Sequence, residues 1–99
     1  VAEIVAAGGA ARFVRADVSD EDQVAAVVAA AVTAFGRLDG AFNNAGILGE
    51  TDKPLHQATA ANFRHVFDVN VLGVMLCLKH ELGALLRTGG GSIVNCASV

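Results

Sequence analysis

The sequence predicts an α/β fold with a parallel sheet, and three observations predict it. Runs of strand length rich in apolar, β-branched or aromatic residues occur at 11–18, 38–44 and 92–98. Two long stretches between them repeat apolar residues at the spacing of a helix face. Strands that alternate with helices in this way favour parallel βαβ units. The composition agrees: 54% hydrophobic and 17% charged residues exclude a disordered chain, and a net charge of -3 leaves no basic footprint for nucleic acid.

Taken in order, Val1 to Ala7 reads as the last turns of a helix, with Gly8 and Gly9 as its stop. "ARFVRADV" then reads as a first strand ending near Val18. Ser19, with Asp22 three residues on, predicts a capping box for a helix. That helix carries Val24, Val27, Val28, Ala31, Val32 and Phe35 on one face and ends at Gly36. Asp20, Glu21 and Asp22 suit the positive end of its dipole. "LDGAFNN" predicts a short, buried parallel strand. A loop from Gly46 to Ala58 holds the only proline, Pro54, and Thr59 is placed to cap a long helix reaching about Arg87. The middle of this helix is apolar almost all round, which predicts burial on more than one face. "TGGGS" ends it and "SIVNCAS" is the third strand.

The longest apolar run, Val69 to Leu78, contains Asn70 and falls short of the ~20 residues that cross a bilayer. No membrane segment is expected. Cys77 and Cys96 lack metal-type spacing, and His56, His65 and His80 share no ligand pattern, so no metal site is expected. Sparse cysteine points to a reduced, cytoplasmic setting. The first residues lack the basic start of a signal peptide. A start at Val1 and a stop at Val99 inside an apolar run make the chain read as the middle of a longer one.

Ligands of open α/β sheets bind beyond the C-terminal ends of the strands. Four features fall there or on the long helix. Asp17 and Val18 close the first strand, either as a simple run into the helix cap or as an acceptor carboxylate with an apolar flank for a base. Asn43, Asn44, Ala45 and Gly46 close the second. A turn explains Gly46 but does not need two consecutive amides, whereas small Ala45 and Gly46 let a ligand approach the backbone. Asn70 competes with helical backbone bonds among apolar neighbours, so it needs a partner, in a core or in a site. Ser98 ends the third strand; it is a turn residue or a ligand contact, and no adjacent base would make it a nucleophile.

In register, "ADVSD", "FGRLDG", "NNAG", "VNVLG" and "GGGSIVNCAS" resemble the short-chain dehydrogenase/reductase family over nearly the whole chain. The resemblance implies a partial doubly wound Rossmann fold, with these strands as the third, fourth and fifth of the sheet. It implies NAD or NADP as cofactor, and hydride transfer between the nicotinamide and a small-molecule alcohol or carbonyl. Carried over, Asp17 and Val18 border the adenine. Asn43, Asn44, Ala45 and Gly46 support the cofactor ribose region, one amide facing the ligand and the other tying strands. Asn70 holds, through its backbone, a water of the proton relay, and Ser98 orients the substrate oxygen. A homodimer or homotetramer is also implied. The family's Gly-rich phosphate loop and its Tyr-x-x-x-Lys are not in this sequence, which has no tyrosine. Residues 1–99 are therefore expected to be part of a single NAD(P)-binding domain, inactive alone. A non-catalytic dinucleotide sensor or scaffold of the same fold is the alternative. A third, weaker reading is an interaction module with a sticky long helix.

Overall fold

The computed structural model describes residues 1–97. Helix α1 (Ala2–Ala6) stops at Ala7, and Gly8 takes the left-handed backbone that ends it, with φ 93°. Helix α2 (Glu21–Phe35) ends at Gly36, whose φ of 88° and N–H bond to the Val32 carbonyl close the last turn. Strands β1 (Gly40–Asn43) and β2 (Ser92–Asn95) pair in parallel, from Gly40 opposite Ser92 to Asn43 opposite Asn95. Between them a 3-10 turn (Leu55–Gln57) precedes the long helix. Thr59 caps that helix as the sequence predicts, its Oγ1 accepting from the Asn62 N–H at 3.1 Å.

The long helix is one rod with a defect. Helix α3 (Ala60–Phe67) passes into a π-helical turn (Asp68–Leu72) and then into helix α4 (Gly73–Leu86). The Gly73 N–H reaches back five residues to the Asp68 carbonyl. Helix α4 packs on α2 and against β1, and the buried set Val24, Val69, Leu76, Ala84 and Leu85 lies along these contacts.

Four expectations need correction. No strand forms over residues 11–18, because a strand is made by its partner and the only sheet among the described residues is β1–β2. Phe13 of that stretch is 80% exposed. The α2 cap is Asp20, not Ser19: Asp20 Oδ1 accepts the Gln23 N–H at 3.1 Å, and Gln23 Nε2 donates to Oδ2. Ser19 turns back instead, its N–H and Oγ both donating to Asp17 Oδ1. Strand β1 is not buried on both faces but alternates exposed and half-buried residues. The long helix buries one side only, leaving Phe63, Phe67, Val71, Met75 and Leu82 exposed. A radius of gyration of 16.1 Å, against about 13 Å for a compact domain of this length, accords with so much open apolar surface.

Residues 60–86, with a mean hydropathy of 1.5, are long and apolar enough to cross a membrane by length and composition alone. Polar ties run from this same helix to α2. Glu21 Oε2 accepts from Lys79 Nζ at 2.6 Å and lies 2.8 Å from His80 Nε2. The Lys79 bond, then the His80 bond, lowers the Glu21 carboxyl below its ordinary 4.5. A depressed folded pKa stabilises fully above the unfolded value, and that contribution is lost as pH falls through the folded pKa. Acid should therefore weaken the α2–α4 contact below about pH 4.5, and Glu21→Gln should flatten that part of the stability profile. Urea midpoints for both proteins down through this pH range test it; superimposable acid limbs would show that the bridge adds nothing.

Candidate functional site

The C-terminal ends of β1 and β2 open on a cleft of about 600 Å³. This volume lies in the range of small-molecule and cofactor sites. Asn44, Ala45, Gly46, Asn70, Asn95 and Cys96 are among its lining residues. A second hollow of about 390 Å³ lies beside it, bounded by Val18, Asn43, Gly73 and Glu81, and shares Asn44 and Ala45 with the first. Most of the sequence-predicted residues converge: Val18, Asn43, Asn44, Ala45, Gly46 and Asn70 each line one or both hollows, whereas Asp17 lines neither. Ser98 lies outside the described residues.

Asn70 finds the partner that its sequence position demands. Its Oδ1 accepts the Ile47 N–H and its Nδ2 donates to the Ile47 carbonyl, both at 2.8 Å. One side chain thereby satisfies both backbone groups of a loop residue that no strand or helix pairs. These bonds hold the segment after Gly46 to the π turn, and a π turn disturbs the regular backbone ladder at that point.

Asn43 and Asn44 divide their work. Asn43 Nδ2 donates to Asn95 Oδ1 at 2.9 Å across the parallel pair and to Glu81 Oε1 at 2.8 Å on α4. It ties β1, β2 and the helix together. Asn44 is exposed at the junction of the two hollows. Glu81 is the one buried charged residue among those described, 8% exposed, and nothing in the sequence singled it out. A charged residue on a helix reads as solvated until its partner is known. Burial, and secondarily the Glu81 charge, push the nearby Cys77 thiol up, which keeps it protonated and inert.

Asp17 sits at the entrance to α2, exposed, with Oδ1 held by Ser19. Those bonds lower its carboxyl below the ordinary 3.8, so it is an anionic acceptor at neutral pH. Val18 packs directly on the long helix: a Cβ built on Gly73 would lie 2.7 Å from Val18 Cγ2 and 3.3 Å from its carbonyl oxygen. Among the described residues no cluster of His, Cys, Asp or Glu could hold a metal ion.

A family model described as enoyl-(acyl carrier protein) reductase matches residues 1–99. The structure of a metagenomic short-chain oxidoreductase (SDR) in complex with NADP superposes with a TM-score of 0.87 at 36% identity, covering 99% of this chain and 44% of that one. The chain belongs to the short-chain dehydrogenase/reductase family. Within this family it is 46% identical to a 2,5-dichloro-2,5-cyclohexadiene-1,4-diol dehydrogenase of Sphingobium indicum, over 99% of this chain and 39% of the relative. It is 43% identical to a cyclohexanol dehydrogenase of an Acinetobacter species, over 100% of this chain and 39% of the relative. The chain thus spans about two fifths of the length of these short-chain dehydrogenases.

The residues present fit a dinucleotide. An anchored carboxylate, Asp17, whose second oxygen takes no hydrogen bond from the described residues, stands beside apolar Val18 and suits a base amine and its ring. Ala45 and Gly46 leave main chain bare at the cleft; a Cβ on Gly46 would meet nothing nearer than Asn70 Oδ1 at 3.5 Å.

Proposed function

We propose that the full-length protein is an NAD(P)-dependent oxidoreductase that acts on the hydroxyl or carbonyl carbon of a small molecule, with residues 1–99 as part of a single dinucleotide-binding domain. The observation that carries this reading is the cleft at the ends of β1 and β2, where the bare backbone of Asn44 to Gly46 runs into Ile47, which Asn70 locks to the π turn. Asp17 and Val18 would hold the adenine end, and Asn43, Asn44, Ala45 and Gly46 the ribose region. The bound nicotinamide supplies the hydride acceptor or donor. Asn70, held rigidly by Ile47, lets the main chain of the π turn order a water for proton transfer. Ser98 would hydrogen-bond the substrate oxygen. The proton donor itself is a residue outside this chain.

Both relatives compared above are named for six-membered carbocyclic alcohols, and the cleft has a mixed lining of Ile47, Leu48, Val71 and Val74 with amides. A cyclic secondary alcohol, or the matching ketone, is the substrate class we assign. Phe63 and Phe67, with ring centroids 4.7 Å apart, form an exposed apolar stripe with Val71 and Met75. Such a stripe suits a second subunit, so we assign a homodimer or homotetramer, and a cytoplasmic setting from the sparse cysteines.

The test is oxidation of cyclohexanol by the full-length protein with NAD or NADP, followed by reduced-nicotinamide absorbance. Asp17→Ala should weaken dinucleotide binding about tenfold or more, as expected for one lost hydrogen bond to a charged group, while turnover at saturation holds. Dinucleotide binding without turnover on any alcohol or ketone would favour a sensor. A monomer by light scattering at micromolar concentration would refute the assembly.

A further inference from the structure

The bonds that converge on Asn43 have a direction. A carboxylate accepts, so Glu81 Oε1 requires the NH2 end of the Asn43 amide to face it at 2.8 Å. That same Nδ2 has a second hydrogen, and it goes to Asn95 at 2.9 Å. Only an oxygen can receive it, so the Asn95 amide is turned with Oδ1 toward Asn43. Flipping Asn43 would set its oxygen against the Glu81 carboxylate, and flipping Asn95 would set donor against donor. Asn95 is also a lining residue of the cleft, and no protein acceptor among the described residues takes its Nδ2.

The geometry points to a polarity relay: buried Glu81 fixes Asn43, Asn43 fixes Asn95, and Asn95 presents its NH2 group to the cleft as a donor for an acceptor oxygen of the bound ligand. This rests on the dehydrogenase reading for what the ligand is, and on the hydrogen bonds alone for the direction of the donor. For this donor Glu81 and Asn43 are positioning residues, since they bound only the second hollow and not the cleft that Asn95 lines. Asn43 supports the ribose region by tying the strands rather than by facing the ligand. The arrangement explains why a carboxylate is kept buried on α4, where an apolar residue would pack at lower cost. It also selects ligands: a carbonyl, hydroxyl or phosphoryl oxygen is accepted at this point, and an amine is not.

Three variants of the full-length protein test the relay, with NADP, NAD and cyclohexanol as probes. Asn95→Asp keeps an oxygen for Asn43 but replaces the donor in the cleft by an acceptor. It should retain the wild-type melting temperature within a few degrees yet raise the dinucleotide Kd or the alcohol KM about tenfold. Glu81→Leu frees the Asn43 amide and should raise the same constant, whereas Glu81→Gln, which still offers an oxygen, should restore most of the loss. The side-chain NH2 resonances of Asn43 and Asn95 should both shift in Glu81→Leu and stay in place in Glu81→Gln. Wild-type constants for Asn95→Asp, or an Asn95 resonance indifferent to Glu81→Leu, would overturn the relay. A wild-type protein that neither binds nor turns over with NAD(P) would overturn the dehydrogenase reading instead, and the NH2 resonances would then decide the relay by themselves.

Discussion

Gly91→Ala should destabilise the protein by about 3 kcal/mol, the upper end of what overpacking costs. A Cβ at this position would run into the Asp39 carbonyl oxygen and lie 3.0 Å from the carbonyl carbon and 2.6 Å from Leu85 Cδ2. Leu85 could rotate, but Asp39 is backbone. Its carbonyl accepts the Ser92 N–H at 3.2 Å, the bond that starts the β1–β2 pair. Relief requires β2 to move away from β1, which lengthens that bond, and the ~1 kcal/mol typical of a lost hydrogen bond is part of the expected loss. Gly83→Ala is the control. A Cβ there meets nothing within 4 Å inside α4, so the better helix former should stabilise by up to about 1 kcal/mol. Urea midpoints at unchanged slope should move in opposite directions for the two variants. A Gly91→Ala midpoint no lower than that of Gly83→Ala would show that the β1–β2 entrance yields freely.

Local features were legible in the sequence because each needs only local information. Gly36 as a left-handed stop, Thr59 as a cap, and the β1 and β2 segments all follow from residue type and spacing. Asn70 was legible as a residue in need of a partner, because a polar amide among apolar helix neighbours is costly unless paired. Features made by distant residues were not. "ARFVRADV" has the side chains of a strand but no neighbour to form a ladder, and propensity cannot supply one. Ser19 and Asp20 are both good caps; the Ser19 hydroxyl is engaged by Asp17 Oδ1, and Asp20 takes the cap position. The π turn leaves no mark in composition. Glu81 was invisible because its partner, Asn43, is 38 residues away. The candidate site was therefore readable as a set of segments, but the network that holds them was not.

Gly73→Ala should separate stability from binding, because two effects of known size oppose each other there. Replacing glycine inside a helix gains up to about 1 kcal/mol. Against this, the new methyl would stand 2.7 Å from Val18 Cγ2, 3.2 Å from its Cβ and 3.3 Å from its carbonyl oxygen. Rotating Val18 moves the Cγ2 atom and leaves the other two, so the 17–19 turn must shift off the helix. Overpacking of this kind costs about 1–3 kcal/mol, so the net change in stability should be small or moderately unfavourable. Binding has no compensating gain. The segment that shifts carries Asp17, whose carboxylate is aimed by its bonds to Ser19, so a displacement of a few tenths of an ångström should misdirect the adenine contact proposed for it. The expected result is a dinucleotide Kd raised about tenfold, a loss near 1.4 kcal/mol, with a midpoint in urea close to wild type. Adding Val18→Ala removes the Cγ2 contact but leaves the Val18 Cβ and carbonyl oxygen in place, so it should recover only part of the affinity. An unchanged Kd in Gly73→Ala, with stability raised by the full helical gain, would mean that Val18 yields to the helix without moving Asp17, and that Gly73 is not what sets the adenine end of the site.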